Sequence, residues 1–278
     1  MKKLALMVFI PGLFILVSWS FFPEKQQARS CDSFIQSLGV SFRLVKAIRH
    51  NSGNALHERV IPQLLDLGLY HYRFGFYPKS TEEQQQCVEL ARQLYREGGM
   101  RAIVMAAALD IPRTLELVGA MGDACEGVEG INEAHRHYHH FMYNEITEWE
   151  KGTLAYQKDL SLAIKGDSST RHIAVLSASP RHEKDLGLGQ WSDIANYHIY
   201  PSKRKPDGAP FATELDRRIL SAPEFFPGKP VVLSESAYQR AYKENPGVDD
   251  GTHARGTMTI YAEAFRAGIE RTYIYRFH

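Results

Sequence analysis

Cysteine is scarce in this sequence: Cys31, Cys87 and Cys125 are the only three in 278 residues. They form no Cys-x-x-Cys pair, so no thiolate metal centre or dithiol redox pair is indicated, and an odd count allows at most one internal disulfide. The reading is isolated or buried thiols. Excess charge is also missing. The 33 Lys and Arg against 32 Asp and Glu leave a formal +1, too little field to draw nucleic acid or an anionic membrane. Neither a Gly-x-Gly-x-x-Gly turn nor a phosphate loop occurs, which argues against a nucleotide-binding fold. Uncharged apolar runs of near-spanning length are confined to the first residues.

That leader starts with Met1-Lys2-Lys3, continues uncharged and mostly apolar from Leu4 to Phe22, and stops at Pro23-Glu24-Lys25. A charged start before an apolar run resembles a secretory signal. The run is long for one and approaches what a membrane span needs. Residues 1–30 are therefore read as a signal peptide or an N-terminal membrane anchor, and residues 31–278 as one catalytic domain. The expected location is secreted, periplasmic or tethered to the outer face of the cytoplasmic membrane, as a monomer.

Beyond the leader, β-like and α-like segments alternate. Strands are predicted at 39–44, 69–74, 101–107, 127–132, 171–177, 193–200, 230–234 and 271–277. Helices are predicted at 55–67, 81–97 (Thr81 as N-cap), 111–121, 144–165, after Pro180, at 212–221 and at 253–267. Runs such as Ile103-Val104-Met105 and Ala174-Val175-Leu176 are apolar without alternation, as in strands buried on both faces of a parallel sheet. Eight β-then-α units in roughly 250 residues point to a (β/α)8 TIM barrel. No helix follows the eighth predicted strand, so the barrel is expected to lack its final helix.

In such a barrel the chemistry sits where strands end. Two carboxylates fall there: Glu133, after Gly130-Ile131-Asn132, and Glu235, after Val232-Leu233-Ser234. Hydrolysis of a glycosidic bond needs one carboxyl group that donates a proton and a second that attacks or activates water. Strand ends four and seven face each other across a small barrel, which would let the pair converge.

The ordered set then carries a resemblance. Asn132-Glu133, the Tyr197-His198-Ile199-Tyr200-Pro201 run, Ser234-Glu235 and the Arg73-bearing passage from Leu65 to Gly75 are together similar to the strand-end motifs of clan A glycoside hydrolases, the cellulase- and xylosidase-like barrels. The resemblance spans Asp32 to Tyr275. It implies a retaining hydrolase acting on β-linked oligo- or polysaccharide, with Glu133 as acid/base and Glu235 as nucleophile. By the same resemblance Asn132 bonds the sugar 2-hydroxyl, Tyr200 orients Glu235, His198 lines the cleft, and Arg73 lies beneath Glu235. Ionised Glu235 is expected to raise the pKa of Glu133. No metal or other cofactor is implied.

Other roles compete with these. Arg73 is open to a purely structural ion pair, and His198 to ordinary packing. Trp149 and Trp191 are candidate sugar-stacking platforms or core residues. His135, His137, His139 and His140 look like a metal tract, but a solvated loop is the reading preferred. Strand eight, Tyr273-Ile274-Tyr275-Arg276-Phe277-His278, lacks the Trp usual in the clan. That departure supports the alternative of a catalytically inactive carbohydrate-binding barrel.

Overall fold

The computed structural model describes residues 4–10, 13–19, 29–50, 58, 60–75, 80–106, 109–137, 142–179, 186–201, 215–217, 222–238 and 247–277. It divides into Met1–Phe34 and Ile35–His278. In the first unit, Leu4–Ile10 and Leu13–Trp19 pair as an antiparallel hairpin, Leu4 opposite Trp19. No helix among the described residues is long and apolar enough to cross a membrane.

The second unit is a barrel of eight parallel strands, β1 (Leu38–Phe42), β2 (His71–Gly75), β3 (Arg101–Met105), β4 (Cys125–Glu129), β5 (Ala174–Leu176), β6 (Ala195–His198), β7 (Val231–Ser236) and β8 (Arg271–Phe277). Their hydrogen-bonded order is β5-β4-β3-β2-β1-β8-β7-β6. The two ends meet through a single parallel bridge between Leu176 and Ile194, supported by Ser177 N–H donating to Ile194 O (3.0 Å) and Asp193 N–H to Val175 O (2.7 Å). The sheet is thus almost closed.

Helices α1 (Leu44–His50), α2 (Ile61–Asp66), α3 (Thr81–Gly98), α4 (Ile111–Met121), α5 (Trp149–Gly166) and α6 (Asp250–Arg266) connect the strands. Of the predicted helices, the segment following Pro180 and residues 55–57, 59, 212–214 and 218–221 lie outside the described residues. The N-cap of α3 is Ser80 rather than Thr81: its extended backbone lets the hydroxyl accept from Glu83 N–H (3.3 Å). Gly99 ends that helix at φ 65°, a left-handed conformation that costs glycine little. Helix α5 starts at Trp149, not Asn144. Tyr143 and Ile146 exchange backbone bonds of 3.1 and 2.8 Å, and the turn between them puts Asn144 and Glu145 at φ 46° and 66°, outside the helical region.

Successive side chains on a strand point to opposite faces, so each strand serves two cores. Val40 and Phe42, Tyr72 and Phe74, Ala102 and Val104, Val128, and Val175 face outward into one cluster with Leu90, Leu94, Leu117, Tyr156 and Leu160 of the helices. Ile103, Leu176, Ile194, Val232 and Tyr273 fill the interior. That phase fixes the site, because outward Tyr72 and Val128 send Arg73 and Glu129 into the barrel. The interior is tight. A Cβ on Gly39 would lie 2.7 Å from the Tyr273 ring, whereas one on Gly166, the last residue of α5, meets nothing within 4 Å. Gly39→Ala is expected to cost about 1–3 kcal/mol by overpacking. In a thermal melt each kcal/mol appears as a drop of about 2–4 °C at this size, while Gly166→Ala holds or raises the midpoint.

Candidate active site

The site is built on a buried guanidinium. Arg73, on inward-facing β2, is fully buried. Its Nε donates to Glu129 Oε2 (2.6 Å) and its Nη2 to Glu129 Oε1 (2.9 Å), a forked pair. Nη1 donates to Glu235 Oε1 on β7 (2.6 Å), and Nη2 also reaches Asn132 Oδ1 (2.9 Å). Arginine has only donors, so Asn132 must turn its carbonyl oxygen toward Arg73. The Nδ2 amide, a donor, is then the end left for a ligand. The other oxygen of Glu235, Oε2, accepts from Tyr200 Oη at 2.5 Å.

His198 sits under the carboxylates. Its Nδ1 is 3.6 Å from Glu133 Oε1 and 3.6 Å from Glu235 Oε2. Its Nε2 is 3.0 Å from Ser234 Oγ and 3.7 Å from Glu129 Oε1. The oxygens of Glu133 and Glu235 that flank Nδ1 therefore lie no more than twice 3.6 Å apart. Two-carboxylate glycoside hydrolysis uses separations from about 5 to about 9.5 Å. Glu133 follows β4 at φ 46°, in a left-handed conformation that a side-chain-bearing residue adopts at some cost, and such strain gathers at functional sites. Its carboxylate also meets Arg136 Nη1 at 3.0 Å.

The charges are strongly coupled. Burial alone would raise the Glu129 pKa, but Arg73 and His198 hold it down at about 2. Burial lowers the affinity of His198 for a proton, yet Glu129, Glu133 and Glu235 outweigh it and raise its pKa above the ordinary 6.5. The Tyr200 hydroxyl is pushed far up by burial and by Glu235. Glu133 departs from expectation. Burial acts to raise its pKa, but His198, Arg136 and His135 prevail and lower it. The expectation of a raised pKa at Glu133 is therefore not met.

A cavity of about 440 Å³ opens beside this network, lined by Arg43, Arg73, Asn132, Glu235 and Tyr275 among others. Arg73, Asn132, Glu133, His198, Tyr200 and Glu235 are thus brought together. His198 does not line the cavity as expected, since its side chain is only 7% exposed. Trp149 and Trp191 are not brought to the cavity lining either. Trp149 packs its ring against His135 with centroids 6.3 Å apart, and Trp191 lies under Lys158 Nζ, 5.4 Å from the ring centroid. His139, His140 and the His137 side chain lie outside the described residues. Among those described, no group of three or more His, Cys, Asp or Glu is placed to hold a metal. Cys31, Cys87 and Cys125 form no disulfide among the described residues.

Glu129 is the participant that sequence reasoning missed, although Glu129 shares the inward phase of its strand with Gly127, as Arg73 does with His71 on β2. Arg43 and Tyr275, which frame the cavity, were also passed over.

No family model matches the sequence, nor does any curated protein. Solved structures share the fold. A beta-glucuronidase from Bacteroides uniformis is 16% identical, with a TM-score of 0.61 over 86% of this chain but only 30% of its own. A glycoside hydrolase family 17 beta-1,3-glucanosyltransferase from Rhizomucor miehei is 14% identical, with a TM-score of 0.60 over 88% of this chain and 87% of its own. An endo-1,4-beta-D-mannanase from Thermotoga petrophila is 13% identical, with a TM-score of 0.56 over 87% and 88%. This chain has the (β/α)8 barrel on which those enzymes are built, and two convergent carboxylates at its mouth.

Removing one partner of a buried pair strands the other charge, so Glu129→Ala is expected to cost about 3–5 kcal/mol. Stability is expected to respond to pH from both sides. The depressed Glu129 contributes above the unfolded value of about 4.3, and that contribution is lost as pH falls toward about 2. The raised His198 contributes fully below about 6.5 and is lost as pH climbs through its folded value. Urea titrations across pH should give a maximum at about pH 5–6.5, with the acid arm flattened in Glu129→Gln.

Proposed function

We propose that the protein is a retaining glycoside hydrolase acting on a β-linked glycan. Glu235 attacks the anomeric carbon and forms a glycosyl ester while Glu133 gives a proton to the departing oxygen. Glu133 then takes a proton from water, which attacks the ester and releases the sugar with its configuration retained. The observation that carries this reading is the placement of Glu133 and Glu235 within 3.6 Å of one buried histidine nitrogen, at the mouth of a barrel. The likeness to barrels whose enzymes are named for β-linked sugars supports the substrate class.

The residues divide the work. Arg73 and Tyr200 each hold one oxygen of Glu235, fixing the attacking atom. Asn132 offers Nδ2 to a sugar hydroxyl. Burial and the neighbouring groups together raise the pKa of His198 and lower that of Glu133. With Nδ1 and Oε1 3.6 Å apart, the pair is expected to titrate as a unit.

The apolar leader supports export or tethering at a membrane, with extracellular oligo- or polysaccharide as the substrate; the protein is proposed to act as a monomer. A sugar-binding barrel without turnover is the second reading. It is favoured by the lowered pKa of Glu133, which works against proton donation.

Release of nitrophenol from a panel of aryl β-glycosides separates the two. Turnover is expected, with near-complete loss for Glu235→Ala because no glycosyl ester can then form, and for Glu133→Ala a loss of about 10² to 10⁴ that shrinks as the leaving group improves, because good leaving groups need little proton donation. Sugar binding without turnover in wild type establishes the binder. The alkaline limb of kcat/KM is expected to report the coupled Glu133–His198 pair and to move to lower pH in His198→Asn. A limb unmoved by that change rules out the coupling.

A further inference from the structure

Arg43 stands immediately after β1 and before α1. One of its guanidinium nitrogens, Nη2, donates to Tyr275 Oη of the neighbouring strand β8 (3.2 Å), and both residues line the cavity that holds Asn132 and Glu235. Other arginines of the domain, including Arg73, Arg96, Arg136, Arg266 and Arg271, meet a carboxylate. Among the described residues none lies within ion-pair distance of Arg43. Glu235 is the carboxylate of the cavity lining, and both its oxygens are engaged by Arg73 and Tyr200. The cavity therefore presents a cation, anchored beside a strand end and braced by a hydroxyl, with which no carboxylate among the described residues pairs.

A neutral sugar hydroxyl bonds such a group without neutralising it. A carboxylate or sulfate ester does both, taking two parallel donors from the planar fork. We propose that Arg43, braced by Tyr275, is the recognition site for an anionic substituent on the bound glycan, either the carboxylate of a uronic acid or a sulfate ester. As a statement about substrate it rests on the glycan-cleaving reading. As a binding site it stands apart from the two catalytic carboxylates.

The test compares kcat/KM for a neutral aryl β-hexoside, its 6-carboxylate and its 6-sulfate, in wild type, Arg43→Met and Arg43→Lys. Wild type is expected to favour one acidic substrate over the neutral one by about tenfold or more, the scale of a charge-assisted bond. Whichever acidic arm responds identifies the substituent. Arg43→Met should abolish that ratio, and Arg43→Lys should keep part of it, because the charge stays and the fork is lost. A wild-type ratio near one, or an equal loss on neutral and acidic substrates in Arg43→Met, overturns the assignment. Calorimetry with full-length Glu235→Gln and matched neutral and acidic oligosaccharides decides the case without turnover. Acidic preference abolished by adding Arg43→Met upholds the subsite even if no glycoside is cleaved, an outcome that removes only the hydrolase reading. Equal binding, or none, rejects it.

Discussion

A single guanidinium buried inside a closed sheet constrains everything at this barrel's mouth. Taking Arg73 out of water costs several kcal/mol, recovered only where geometry and partners are complete. Here Glu129, Glu235 and Asn132 take four of its five N–H donors at 2.6 to 2.9 Å. The partners come from opposite sides of the barrel, β4 and β7, so the interaction also staples them. Each partner loses freedom in a specific way. Glu129 is consumed as a counter-ion, Asn132 is turned amide-outward, and Glu235 is left with one oxygen for Tyr200.

His198 is the titratable group set on that rigid base. It lies 3.6 to 3.7 Å from three carboxylates, and they raise its pKa against the effect of burial. With Glu129 committed to Arg73, the coupling that remains is between His198, Glu133 and Glu235. The acid/base role proposed for Glu133 thus concerns a coupled pair rather than a lone carboxyl. Against the effect of burial, the Glu133 pKa is lowered by His198, Arg136 and His135.

The barrel was legible because its signals are local and repeat: eight apolar strands with helices between them. The strand-end rule then located Glu133 and Glu235 without any tertiary information. What stayed hidden depends on phase and on contacts. Glu129 sits one position after outward Val128, so its inward aim follows from the period of two, but a charged residue in a short strand looks like a solvated end. Helix α5 began late because Tyr143 and Ile146 close a turn that helical periodicity does not reveal. Trp149 and Trp191 carried no signal of whether their rings would face the cavity or their own helix and loop neighbours. The direction of the Glu133 shift required knowing that His198, some 65 positions later in the chain, is only 3.6 Å away.

The ring of strands is hydrogen-bonded as a ladder everywhere except between β5 and β6, where one bridge joins Leu176 to Ile194. There the side chain of Gln157 from α5 acts as stitching. Its Nε2 donates to Leu176 O, Trp191 O and Ser192 Oγ, and its Oε1 accepts from Ala178 N–H. This thin joint runs between the half of the rim that bears Glu133 and the half that bears Glu235. Gln157 thereby reinforces this joint with a helix side chain, alongside the Arg73 network that ties β4 to β7 across the same gap.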